Sequence, residues 1–175
     1  MFLQALKKKT SQNFLNRALS KYDAKPSYES NGIHKVGCIV DAESFTDFDA
    51  FSNLANSIDL PNFNLNLICY HSDPKSHGNF NKTMFSDSDI GWGGRLKHFA
   101  LQHFTETPMD LLINYFDNAD HLAPQIVAAQ SKAAFRVGFE GIDKRLNDLV
   151  IATDIKNYDS FESELLKYLT ILKII

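Results

Sequence analysis

Short apolar runs alternating with amphipathic spacers constrain the fold of this chain more than any other feature of it. "HKVGCIVD" (34–41) is almost continuously apolar, the pattern of a strand covered by helices on both faces of a parallel sheet. "FNLNLICYHS" (63–72), "MDLLINYFD" (109–117), "AAFRVGFEG" (133–141) and "NDLVIATD" (147–154) read as further strands. "MFSDSDIGW" (84–92) is the weakest of the set, because its apolar residues stand only at its ends.

Between these runs the period changes to that of a helix. Residues 46–58 carry Phe48, Phe51, Leu54, Ala55 and Ile58 at helical spacing, with Thr46 and Asp49 placed as a capping box and Pro61 as the stop. "GRLKHFALQHF" (94–104) sets Leu96, Phe99, Ala100 and Phe104 on one side. "HLAPQIVAAQSK" (121–132) is a helix with Pro124 in its first turn, where a missing N–H costs little. The chain closes on an amphipathic helix read from Asp159, with Glu162 in capping-box position.

This alternation predicts one α/β domain over residues 33–175, a three-layer, Rossmann-like and mostly parallel sheet of five or six strands. One connection departs from the rule. The link from Phe139 to Asp148 is shorter than the dozen or so residues of an ordinary parallel crossover, so strand six is expected antiparallel to strand five or at the margin of the sheet.

Residues 1–32 read as a basic amphipathic N-terminal helix and its linker. Phe2, Leu3, Leu6, Phe14, Leu15, Ala18 and Leu19 form its apolar stripe, and "DAKPSYESNG" (23–32) reads as an extended strap. Residues 1–35 hold seven Lys and Arg against Asp23 and Glu29, five positive charges in surplus. With a net charge of -3, the remainder carries -8. A basic arm on an acidic body marks Lys7, Lys8, Lys9, Arg17 and Lys21 as candidates for a partner surface. The arm would dock on its own domain, meet another protein, or contact an anionic surface, either RNA or the ribosome or a membrane face.

A chain of 175 residues, 44% hydrophobic, suffices for one well-formed core. No run reaches the roughly 20 apolar residues of a membrane span, and no leader pattern opens the chain, so the expected location is the cytoplasm. Cys38 and Cys69 each lie inside an apolar run and are read as structural thiols.

In an open α/β sheet, ligands bind beyond the carboxyl ends of the strands, where strand order reverses. That rule nominates Asp41, Glu43 and Ser44 after strand one, His71, Ser72 and Asp73 after strand two, and Asn114 and Asp117 after strand four. Asp41, His71 and Asp117 are the catalytic candidates. "GWGGR" adds Gly93, Gly94 and Arg95 as a candidate anion cradle, although it fits neither GxGxxG nor GxxxxGK[ST]. The alternative is a plain tight turn, the ordinary use of glycine. Asp41 reads equally as a cap for the following segment. His98 and His103 stand five apart on a helix and point away from each other, and His71 with His77 lacks a third ligand. No metal site and no cofactor is nominated, and no GxSxG, HExxH or CxxC motif occurs.

"FSDSDIGWGGRLKHF", "MDLLINYFD", "SKAAFRVGF" and "ESELLKYLTILKII", in this order, resemble an uncharacterised family of small Bacteroidota proteins, a domain of unknown function. Residues 110–141 are also similar to the amino-terminal Rossmann-like half of heptosyltransferase-type glycosyltransferases. That second resemblance implies the fold of such a half. Where those enzymes carry a glycine-aspartate turn after strand one, this chain has "VDAESFTD". The expected role is a non-enzymatic binding or scaffold protein with a protein partner. The alternatives are a small transferase or hydrolase for a phosphorylated ligand at the strand ends, and an RNA- or ribosome-associated factor.

Overall fold

Every residue of the first apolar run from Val36 to Asp41 is buried, as a strand between two helical layers requires. The computed structural model describes residues 1–21, 32–61 and 64–175, and most of the expected strap at 23–32 lies outside them. Among the described residues there are six strands: β1 (Val36–Asp41), β2 (Leu65–Tyr70), β3 (Thr83–Phe85), β4 (Pro108–Tyr115), β5 (Lys132–Phe139) and β6 (Leu149–Ile151). They form one sheet in the order β3-β2-β1-β4-β5-β6, with every pairing parallel.

Strand alternation divides the core. Val36, Cys38 and Val40 face one layer, which α2 (Asp49–Ser57) and α5 (Tyr158–Ile171) complete with Phe51, Leu54, Phe161 and Leu165. Ile39, Ile68, Tyr70 and Leu112 face the other. There α1 (Phe2–Ser20), α3 (Phe99–Glu106) and α4 (Leu122–Gln130) contribute Leu15, Leu19, Leu101, Phe104 and Ile126.

Strand six is marginal, as expected, but it runs parallel to β5 and not antiparallel. The reason is its length. β6 pairs only with Val137, Gly138 and Phe139, so the chain retreats about 7 Å along the sheet, two strand residues, before re-entering it. A short link through the turn at Lys144–Leu146 covers that distance. Strand three is confirmed but confined to Thr83–Phe85. The remainder of "MFSDSDIGW" forms short 3-10 turns at Asp87–Asp89 and, from its tryptophan on, Trp92–Gly94.

Two caps also differ from expectation. Phe48 occupies the N-cap of α2 without a side-chain hydrogen bond, so Thr46 does not cap it. In α5 the cap is Asn157, whose side chain accepts from the Ser160 amide, and the helix starts ahead of Asp159. Pro124 does sit in the first turn of α4. Both cysteines are buried and free.

The turn at "GWGG" seats the N-terminal helix. Gly94 adopts φ +79, and a Cβ there would strike the Phe14 ring of α1. The Gln130 side chain of α4 donates to the Gly94 carbonyl at 2.9 Å. Only glycine combines that left-handed backbone with so close a neighbour.

Candidate functional site

The order 3-2-1-4-5-6 reverses between β1 and β4, so the crevice beyond their carboxyl ends is the place where the fold offers a site. β1 delivers Asp41 there. Its Oδ1 accepts from the Glu43 amide at 2.9 Å, its Oδ2 from Ser44 Oγ at 3.3 Å, and its carbonyl from the Phe45 amide at 3.0 Å. The result is a tight Asx-type turn, so Asp41 organises a turn and does not cap a helix. Phe45 holds that turn from behind, stacked on Tyr158 with ring centroids 5.5 Å apart.

Glu43 points back over the sheet ends. It accepts from the Ser72 amide at 2.7 Å, and its carboxylate lies 3.5 Å from His71 Nδ1. His71 Nδ1 itself accepts from the Asp73 amide at 3.1 Å, so its ring proton belongs on Nε2. The contact with Glu43 is therefore electrostatic and not a hydrogen bond.

The fourth member, His121, comes from the loop that follows β4 and stands at the N-cap of α4. Its Nδ1 is 3.4 Å from Asp41 Oδ2, and its Nε2 is 4.0 Å from Glu43. Asn118 sets the tautomer. Its Oδ1 accepts from the Asp120 amide, which turns its Nδ2 toward His121 Nε2 at 3.2 Å. Nε2 must then accept, and the proton of the neutral ring faces Asp41 from Nδ1. Nδ1 is buried and finds no hydrogen-bonding alignment. The Tyr70 ring packs against His121 with centroids 4.9 Å apart.

The environment separates the two carboxylates. Burial pushes the Asp41 carboxyl above the ordinary aspartate range, against the opposing Glu43 amide and the charge that His121 carries when protonated. Burial also pushes Glu43 up, but the Ser72 hydrogen bonds, with the two histidines when they are protonated, outweigh it and hold Glu43 below its ordinary value. Neighbouring acids with divergent affinities for a proton suit a site that holds a cation or passes a proton. Asp41, Glu43 and His121 each offer one ligand atom, and these atoms lie within 4.8 Å of one another. Two carboxylate oxygens and an imidazole nitrogen form a donor set for a divalent first-row metal ion.

The other nominated residues are placed as follows. Ser44 joins Asp41. Asn114 is fully buried within the sheet and donates to Asn147 Oδ1 at 2.8 Å. The Asp117 carbonyl lies against Gly141, toward β5. Gly93, Gly94 and Arg95 belong to the turn under α1, with Arg95 exposed. Lys7 donates to the Asp87 carbonyl at 3.2 Å, while Lys8, Lys9, Arg17 and Lys21 are exposed. Sequence reasoning passed over His121 and Tyr70. A signal for His121 was available, since it closes the loop after the strand that borders the crevice.

Fold and site together define a Rossmann-like α/β protein with a carboxylate-imidazole cluster at its switch point. The chain belongs to a family of unknown function, DUF6913, matched over residues 7–172. No curated protein and no solved structure matches it.

Proposed function

We propose that the protein binds a divalent metal ion at the switch point through Asp41, Glu43 and His121. The observation that carries this reading is the convergence of their ligand atoms within 4.8 Å, beyond the end of β1. Two carboxylates with no lysine or arginine in the cluster repel a bare anion and attract a cation. Metal binding displaces the Nδ1 proton of His121, or takes Nε2 in place of Asn118, so affinity rises with pH. A metal there would polarise a bound oxygen, the step a transferase or hydrolase for a phosphorylated ligand requires. The cytoplasmic location belongs to this reading and is supported by two buried free thiols.

Calorimetric titration of the metal-free chain with Zn2+, Mn2+ and Mg2+ tests the reading. Saturable binding of one ion by the wild type, weakened at least tenfold in both Asp41→Asn and His121→Ala, is the expected result. Absence of binding, or binding unchanged in both variants, overturns it.

A second reading, a binding protein for another macromolecule, is favoured by the exposed apolar residues Met1, Phe2, Leu3 and Leu6 at the start of α1. Lys9 and Arg17 lie exposed on the same helix, and Lys21 lies exposed at its C-cap. Capture of a protein partner that persists at high salt and is lost on Phe2→Ser and Leu6→Ser supports a protein contact. Salt-sensitive retention on RNA supports a nucleic-acid contact.

A further inference from the structure

We propose that the cavity between the N-terminal half of α1 and the start of α4 binds a small hydroxylated organic phosphate. The inward stripe of α1 is apolar along its second half, where Leu15 and Leu19 are buried. One and two turns earlier on the same face stand Ser11, then Lys7 and Lys8. Phe2, Leu3 and Leu6, the apolar residues of that half, point to solvent instead. A helix held only by core packing has no reason to reverse its polarity in this way.

The reversal coincides with a cavity of about 480 Å3, lined by Lys7, Lys8 and Ser11 and, across from them, by Asp87, Asp120, Leu122 and Ala123. That volume suits a small metabolite. Ser11 is only 4% exposed, and its hydroxyl makes no hydrogen bond among the described residues. Leu122 and Ala123 open the nine-residue α4, whose N-terminus has no side-chain cap. Lys7, whose ammonium donates to the Asp87 carbonyl at 3.2 Å, and the exposed Lys8 line the same cavity as this uncapped helix start, a combination that favours a dianion. Asp87 and Asp120, which repel anions, are acceptors for hydroxyl donors, so the phosphate must be carried on a hydroxylated body.

The proposal does not depend on the metal ion. Tyr70 nevertheless joins the two places, because its ring touches His121 while its buried hydroxyl feels the charge of Asp87, at the cavity wall, and of Glu43. The Asp120–His121 step joins them as well.

The full chain in excess EDTA, so that no metal contributes, is titrated with ribose 5-phosphate, AMP and inorganic phosphate by thermal shift and calorimetry. A saturable rise in Tm with either ester, and affinity at least tenfold above that for inorganic phosphate, is expected. Which ester binds shows whether a base is accommodated. Ser11→Leu, which extends the Leu15 and Leu19 stripe into the cavity, should retain the unliganded Tm and weaken binding at least tenfold. Lys8→Gln changes an exposed residue and should weaken it at least threefold. No shift with either ester, inorganic phosphate binding as tightly as the esters, or both variants binding like the wild type overturns the proposal.

Discussion

His121 Nδ1 lies 3.4 Å from Asp41 Oδ2, across the point where the order of the parallel sheet reverses. These residues are far apart in the chain and meet because β1 and β4 are neighbours in register, with Val40 opposite Tyr115. The pair places a buried acid against an imidazole whose other nitrogen is held by Asn118. It is the element of the site with the most direct consequence for pH.

Burial, the largest influence on Asp41, raises its pKa in the folded state. Its contribution to stability is therefore complete below the unfolded aspartate value near 4 and is lost as pH rises through the folded value. Glu43 behaves in the opposite sense, because its pKa is lowered and its contribution is lost as pH falls through the folded value. Asp41→Asn removes the first effect and can retain the hydrogen bond from the Glu43 amide. Urea unfolding from about pH 3 to about pH 5.5 should show the variant gaining stability relative to wild type as pH rises. A difference that stays flat across this range contradicts the assignment.

Gly93 and Gly94 separate backbone strain from packing. Both have positive φ, but a Cβ on Gly93 meets nothing within 4 Å, whereas one on Gly94 strikes Phe14. Gly93→Ala should cost about 1 kcal/mol, the strain of a left-handed residue alone. Gly94→Ala should cost more and loosen α1, seen as faster proteolytic cleavage within residues 2–20. Equal cleavage in the two variants would show that Phe14 does not hold the helix.

Tyr115 ties the sheet to the approach to α5. Its hydroxyl donates to the Ile155 carbonyl at 2.6 Å, and both residues are buried. Tyr115→Phe keeps the ring within its aromatic cluster and leaves that carbonyl unpaired, at a cost of about 1–3 kcal/mol. Chemical denaturation measures it, and a cost near zero would mean that another donor reaches Ile155.

Neither thiol should react in the native protein. Burial pushes Cys38 far up, and it pushes Cys69 up to about 12, so thiolate is scarce at neutral pH. An aromatic disulfide reagent at pH 8 should label no cysteine until denaturant is added, and two afterwards. Fast labelling of the folded chain would show that the β1 and β2 environment opens.

Much of the fold was legible in the sequence because strand and helix leave periods of two and 3.6 in the placement of apolar residues. The run at 34–41 declares a doubly covered strand, and Phe51 and Leu54 declare the inner face of α2. Strand direction at the margin was not legible. The short connection left two expectations open, an antiparallel strand six or a marginal one, and only the three-residue span of β6 shows how little distance a parallel link must cover. The α1 stripe misled in its first half for a related reason. Phe2, Leu3 and Leu6 match the helical period, but the period does not say what lies opposite each turn.

The sequence alone determined the alternation of elements, the parallel α/β class and the strand-end position of Asp41, Glu43 and His71, because local side-chain patterning dictates those. Only the tertiary structure decided that His121 would complete the cluster while Asp117 and Arg95 lay elsewhere. Which loop residues meet depends on strand order and on the turns that aim each side chain, and a linear pattern specifies neither.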